Sequence, residues 1–166
     1  MALMEIVNLV ERPEFVPTLA AWHHAQWGEL NPQNTLEARI ERMQRHLDGE
    51  PIPVTFVAVE DDAPLGSASL VEHDLPSRLE LTPWLASVFV APEHRRRGIG
   101  SRLVRRVVEE AARLEGETLY LFTLDQEKLY GELGWSPLER TEHNGFPITI
   151  MTIRPGARDQ ESGQSN

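Results

Sequence analysis

The stretch VFVAPEHRRRGIGSRLVRRVVEEA, from Val88 to Ala111, decides how the chain reads. An apolar run enters three consecutive arginines, Arg95 to Arg97, and turns through Gly98 and Gly100. Beyond the turn, Ile99, Leu103 and Val107 form one apolar row, with Val104, Val108, Ala111 and Leu114 beside it. The run reads as a strand covered on both faces, and the rows as an amphipathic helix that Gly116 stops. A buried strand, a glycine turn and a helix start together make an anion site. The first helical turn has N–H groups without partners, the helix dipole adds partial positive charge, and glycine removes the Cβ that would hold a ligand off the backbone. A phosphate or pyrophosphate is the natural guest.

Two common phosphate motifs fail at this corner. A Walker loop needs a lysine directly after its last glycine, and the only lysine is Lys128. A dinucleotide fingerprint needs a third glycine where Leu103 stands. What remains is Arg-x-x-Gly-x-Gly, spelled Arg95-Arg96-Arg97-Gly98-Ile99-Gly100.

Composition narrows the function. With 16 Lys plus Arg against 26 Asp plus Glu, the 166 residues carry a net charge of −10. That argues against general nucleic-acid binding, which works by neutralising phosphates, and mildly favours cationic partners. Seven of the basic residues nevertheless fall between Arg95 and Arg113, where the glycines are. The chain has no cysteine, so disulfides and Cys-based metal sites are excluded. No segment reaches the ~18 consecutive apolar residues of a membrane span, and MALMEIVNLVERPEF lacks a basic leader with an apolar core. A soluble, cytoplasmic protein is expected, without a membrane or nucleic-acid partner. His23 and His24 are adjacent on a helix and cannot share a face, no His-Glu-x-x-His occurs, and no metal is expected.

The remaining elements follow from pattern. MEIVNLV alternates as a first strand, and PEFVPTLAAWHHAQWGEL has helical spacing with Pro17 confined to its start. TLEARIERMQRHL puts Leu36, Ile40, Met43 and Leu47 on one helix face. VTFVAVED and LGSASLVEH flank the turn DDAPLG as a hairpin. TLYLFT and FPITIMTI read as strands, and between them TLDQEKLYGELGW is a short helix with a Thr123-x-x-Gln126 capping box, closed by Gly134. The order β-α-α-β-β-β-α-β-α-β-β is a mixed α+β layout: one sheet, one domain over residues 1–153, and a polar tail from 154 to 166 that is expected to be disordered. On the long helix, Arg105 with Glu109, Arg106 with Glu110 and Glu109 with Arg113 are spaced for ion pairs on a solvated face.

The Arg95–Gly100 loop, the strand ASVFVAPEH before it and the helix SRLVRRVVEEA after it resemble the acetyl-CoA pyrophosphate loop of the GNAT family of N-acetyltransferases. A second stretch supports this, because Tyr130, Leu133, Gly134 and Trp135 fit the family's Tyr and Leu-Gly-aromatic ending. The resemblance runs from about Val54 to Ile153. It implies an acyl-CoA N-acyltransferase fold: a central mixed, mostly antiparallel sheet flanked by helices. It also implies acetyl-CoA as co-substrate, a primary amine on a small molecule or peptide N-terminus as acceptor, and direct transfer. Dimers are common in the family, so a homodimer is compatible.

By the same resemblance, backbone groups of Val88, Phe89 and Val90 would hold the pantetheine arm and polarise the acetyl carbonyl. N–H groups from Arg96 through Arg97, Gly98, Ile99 and Gly100 to Ser101 would hold the pyrophosphate, with Arg95 to Arg97 adding charge; of the helix arginines only Arg102, by its position near the helix start, is a candidate to touch the nucleotide. Tyr130 falls where many members protonate the departing thiolate. Thr123 stands where the family usually has the asparagine that binds pantetheine, and Gln126 where it has alanine. Glu72, His73, Asp74 and Glu80 are positioned as candidate bases, and Trp22, Trp27 and Trp84 as acceptor wall or core. The rival reading is a non-catalytic acyl-CoA sensor or interaction module of the same fold, which would need no acid at residue 130.

Overall fold

The computed structural model describes residues 3–156; most of the expected C-terminal tail lies outside the described residues. Seven strands, β1 (Glu5–Asn8), β2 (Val54–Glu60), β3 (Ala63–Val71), β4 (Trp84–Val90), β5 (Leu119–Thr123), β6 (Ser136–His143) and β7 (Phe146–Ile153), form one sheet in the order β1-β2-β3-β4-β5-β7-β6. Helices α1 (Val16–Trp27), α2 (Leu36–Gln44), α3 (Ile99–Arg113) and α4 (Glu127–Glu132) complete the fold. All neighbouring strands are antiparallel except β4 and β5. A parallel pair cannot be joined by a tight turn, and α3 is the crossover it requires. This is the fold class that the order of elements predicts.

Alternation sorts the side chains onto two faces. From β2, Val54, Phe56 and Ala58 join a core with Ile99, Leu103, Val104 and Val107 of α3. The intervening Val57 and Val59 pack instead with Leu19 and Ala20 of α1 and Met43 of α2. Each large apolar side chain so buried contributes about 1.5–3 kcal/mol. β6 was required by the element order but had no alternation to mark it. It is the exposed edge strand, and its residues are exposed or half-buried throughout.

On α3, Arg106 pairs with Glu110 at 3.1 Å. Arg113 turns to Glu110 instead of Glu109. Glu110 is only 5% exposed, and a carboxylate drawn that far from water attracts both cations more strongly than a solvated one does. Arg113, followed by burial and Arg106, shifts the balance at Glu110, which is held below its usual carboxylate range.

Beneath α1 and α2, polar groups replace part of the apolar contact. His23 Nε2 lies 3.1 Å from Ser67 Oγ. His46 Nδ1 lies 2.7 Å from Thr55 Oγ1, which lies 2.8 Å from Ser69 Oγ. Burial pushes His23 down to about 3 and His46 down to about 4, so both are neutral at physiological pH. Above pH 6.5 neither the folded nor the unfolded chain protonates them. Below it only the unfolded chain takes up the proton, until the folded values are reached. Stability should therefore fall as pH drops from about 6.5 to 5. Tm followed across that window should show a shallower slope in His46→Gln than in the parent; equal slopes would refute the buried neutral state.

Candidate active site

β4 and β5 are joined by a single pair, Trp84 with Tyr120, braced by the bond from Tyr120 N to Pro83 O at 3.1 Å. Beyond that pair the strands part. β4 stays registered with β3 as far as Val90 opposite Gly66, and β5 stays registered with β7 as far as Thr123 opposite Thr149. Their inner edges, from Ala86 to Val90 and toward Thr123, therefore face a wedge with no strand paired to them. A ligand with amide groups can complete such an edge as an extra strand would.

A bulge sits at the vertex. Ser67 pairs with Phe89 and Ser69 with Ala86, which leaves both Ser87 and Val88 opposite Ala68. Ser87 has φ 56, a left-handed conformation that a non-glycine residue adopts only under constraint. Gly66 permits the close approach of β3 and β4, since a Cβ there would meet Phe89 O at 2.4 Å.

At the open end of the wedge lies the arginine–glycine turn. Arg96 has φ 67 and Gly98 φ 77, so the chain reverses into α3 through two left-handed residues. The first backbone bond of α3 runs from Arg102 N to Gly98 O at 3.1 Å. N–H groups of residues 96–101 have no backbone acceptor among the described residues. A Cβ on Gly98 would meet nothing within 4 Å, and one on Gly100 would touch only Val90 Cγ2 at 3.6 Å. The turn is thus a bare backbone surface carrying unspent donors, which fits a pyrophosphate.

The three arginines divide. Arg95 Nε donates to Val90 O at 2.8 Å, and its guanidinium stands over the Phe89 ring at 5.6 Å. Arg97 Nη2 donates to Glu60 Oε2 at 2.8 Å, and its Nη1 approaches His94 Nδ1 at 3.2 Å. Both side chains brace the turn against the sheet. Arg96 has no side-chain partner among the described residues. Ser101 is half-buried and Arg102 exposed.

Across the wedge, α4 carries Tyr130, 8% exposed, its ring edge-on to Trp135 at 6.2 Å. Burial pushes its hydroxyl up to about 12, and that hydroxyl has no hydrogen-bond partner among the described residues. The helix is pinned by Glu127, which accepts from Arg140 Nη2 at 2.6 Å and Thr149 Oγ1 at 3.2 Å. Only half of the expected capping box forms. Gln126 N donates to Thr123 Oγ1 at 3.0 Å, but the Gln126 amide turns to Asp125 Oδ1 at 3.3 Å. Residue 126 is itself the cap of a short helix, so its side chain points away from the backbone N–H of residue 123. Thr123 keeps its own hydroxyl proton to donate.

On the opposite face of β4, Phe89 meets Trp22 at 5.5 Å and Trp27 at 6.1 Å, with His23 between them at 6.1 Å from Phe89. Trp84 is core: it is fully buried, and its Nε1 donates to Leu81 O at 2.7 Å. Among the candidate bases, Glu72 and His73 are exposed. Arg78 binds Glu80 at 2.7 Å and holds it below its usual range. Asp74 differs. Its surface is partly exposed, yet protein surrounds the carboxyl closely enough that burial pushes it up to about 7, against the opposing field of Arg42. It has no ion pair or hydrogen bond among the described residues. Sequence reasoning missed the Phe89 ring, the strain at Ser87 and the polar rows of β2 and β3. The spacing of Ser67 and Ser69 inside an apolar strand was the available signal for the last.

The sequence model of the acetyltransferase (GNAT) family matches residues 16–135. The chain belongs to the GNAT family. Solved structures agree on the fold. YncA of Salmonella typhimurium, solved with acetyl-CoA, is 15% identical with a TM-score of 0.69 over 93% of this chain and 94% of that one. An aminoglycoside 6'-N-acetyltransferase complexed with coenzyme A is 18% identical with a TM-score of 0.70 over 91% and 97%. A spermidine N-acetyltransferase chimera from Vibrio cholerae and hSSAT is 17% identical with a TM-score of 0.67 over 93% and 96%. No curated protein sequence matches the chain. Among the described residues no group of three or more His, Asp or Glu could hold a metal ion, and no helix is long and apolar enough to cross a membrane.

The two glycines of the GNAT turn should respond oppositely to alanine. Gly98→Ala forces a side chain into φ 77 and should cost about 1–3 kcal/mol. Gly100→Ala, inside the helix and free of collision, should be neutral or stabilising by up to about 1 kcal/mol. Thermal unfolding of both variants measures the contrast, and equal losses would mean that the turn geometry is wrong.

Proposed function

We propose that the protein is an N-acetyltransferase that moves the acetyl group of acetyl-CoA directly to a primary amine. The observation that carries this reading is the wedge: two strands with free inner edges, opening onto a turn whose N–H groups have no acceptor. Apart from Val90 O, which Arg95 holds, the edge of β4 from Val88 to Val90 is suited to the pantetheine amides. The donors of residues 96–101, the Ser101 hydroxyl and the unbraced Arg96 are suited to the pyrophosphate. Arg95 and Arg97 act by holding that turn in shape, and Thr123 offers its proton from the β5 side.

Acetyl-CoA supplies the activated acyl group. The chain does the rest. An N–H of the strained Ser87–Val88 bulge stabilises charge on the acyl oxygen, an interaction worth on the order of 3–4 kcal/mol in such sites. Asp74, raised to about 7, is matched to accepting a proton from the incoming ammonium near neutral pH. Tyr130, raised to about 12, stays protonated and can return a proton to the leaving sulfur. The same burial that raises the phenol also raises a thiolate formed beside it, which keeps the transfer feasible. A sensor without catalysis would make no use of an unpartnered phenol beside the wedge.

Thiol release from acetyl-CoA across a panel of amines tests the activity. Tyr130→Phe should lower kcat by about 10²-fold with little change in acetyl-CoA affinity. In the parent, kcat should fall as pH drops below about 7, as Asp74 becomes protonated. Asp74→Asn should be slow throughout and lack that limb. Gly98→Glu places a carboxylate where the pyrophosphate is proposed and should abolish acetyl-CoA binding by calorimetry; unchanged affinity would remove the turn from the site.

A further inference from the structure

The acceptor side of β4 is walled by rings. Trp22 and Trp27 from α1 close on Phe89, and Phe89 follows directly on the Ser87–Val88 bulge, in the half of β4 with no neighbour in β5. The wall therefore stands beside the place where transfer is proposed. On the far side Phe122 packs on His143 at 5.5 Å. There the β6–β7 turn is tied to the loop after α1: His143 Nε2 lies 2.9 Å from Asn31 Oδ1, and Asn144 Nδ2 donates to Leu30 O at 2.9 Å.

The charges bordering this wall are not those of a polycation site. His23 is neutral and turned to Ser67. Arg95 already occupies one face of the Phe89 ring, taking the cation–π interaction for itself. Arg39 reaches His24 Nδ1 at 3.3 Å and Trp27 O at 3.4 Å, and is bound by no carboxylate. Further ammonium groups would meet these two guanidiniums at close range and low dielectric.

We infer that the acceptor is a primary amine with a single positive charge, carried on a bulky apolar group, best an aromatic one, that stacks on the half-buried Trp22 and Trp27, which the buried Phe89 backs. The inference rests on the acetyltransferase reading and names its substrate class. It runs against the polycationic acceptor suggested by the net charge of −10, because the field of the whole chain is negative while the side chains reaching these rings are guanidiniums.

The test compares kcat/KM for 2-phenylethylamine, phenylalaninamide, spermidine and kanamycin at saturating acetyl-CoA. The aromatic monoamines should exceed both polycations by at least about tenfold. Whichever of the two aromatic amines is faster separates a free small amine from a peptide N-terminus, and either order supports the proposal. Trp27→Leu and Trp22→Leu should each raise the KM for 2-phenylethylamine by about tenfold, with kcat and the KM for acetyl-CoA little changed. Trp27→Phe should restore most of the loss. Calorimetric titration of 2-phenylethylamine into the protein–CoA complex should show the same weakening without catalysis. Preference for spermidine or kanamycin, or a KM indifferent to both tryptophans, overturns the inference and leaves acetyl transfer standing. No thiol release with any of the four overturns both.

Discussion

One backbone pair, Trp84 opposite Tyr120, sets where β4 lets go of β5, and most of what is distinctive in this chain follows from it. A continuous sheet would spend the inner edges of both strands on each other. Here the closed end is fixed by a fully buried indole, hydrogen-bonded to Leu81 O and stacked near Tyr120 and Phe122, so that the parting begins at a rigid point. The bulge in β4 then adds curvature and strain just beyond that point, as bulges do. Gly66 is the residue that tolerates the resulting approach of β3. The wedge is a set of unspent backbone groups held open by side chains that cannot follow one another.

The turn at the mouth of the wedge is shaped by the same economy. Its N–H groups stay free because the first turn of α3 offers them no carbonyl, and the arginines around it, donors themselves, are used as struts. Arg95 reaches back to β4 and Arg97 across to Glu60 at the end of β2, so the two left-handed residues, Arg96 and Gly98, are held without any side chain covering the backbone. An arginine cluster is usually read as charge for a phosphate. Here two of the three have found acceptors within the protein, and what they do in the fold is hold the turn in shape.

This explains which parts of the molecule were legible in the sequence. α3 was plain because its apolar rows are long and periodic, and β4 because it is covered on both faces. The turn was plain because Gly98 and Gly100 interrupt the pattern between strand and helix, and Gly98 does take a left-handed φ of 77, which glycine adopts most readily. β6 was not, since an exposed edge strand leaves no alternation in Ser136–His143. The use of each arginine was also invisible, because it depends on partners 5 and 37 residues away. The candidate bases could not be ranked for a similar reason. Glu80 and Asp74 look alike in sequence, and only the fold puts Arg78 against the first and encloses the second.

Bulk charge misleads for a related reason. Most of the acidic residues lie on the solvated surface, where they set the long-range field and are screened within about 10 Å at ordinary salt. A groove reads only what lines it, at low dielectric and short range. In this chain the half-buried rings of Trp22 and Trp27 stand beside β4, the histidine packed with them is kept neutral by burial, and the side chains that reach them carry guanidiniums, Arg39 and Arg95. Long-range attraction can bring a cation to such a surface. On the proposed acceptor reading, the rings then select among amines at short range, where the bulk field no longer discriminates.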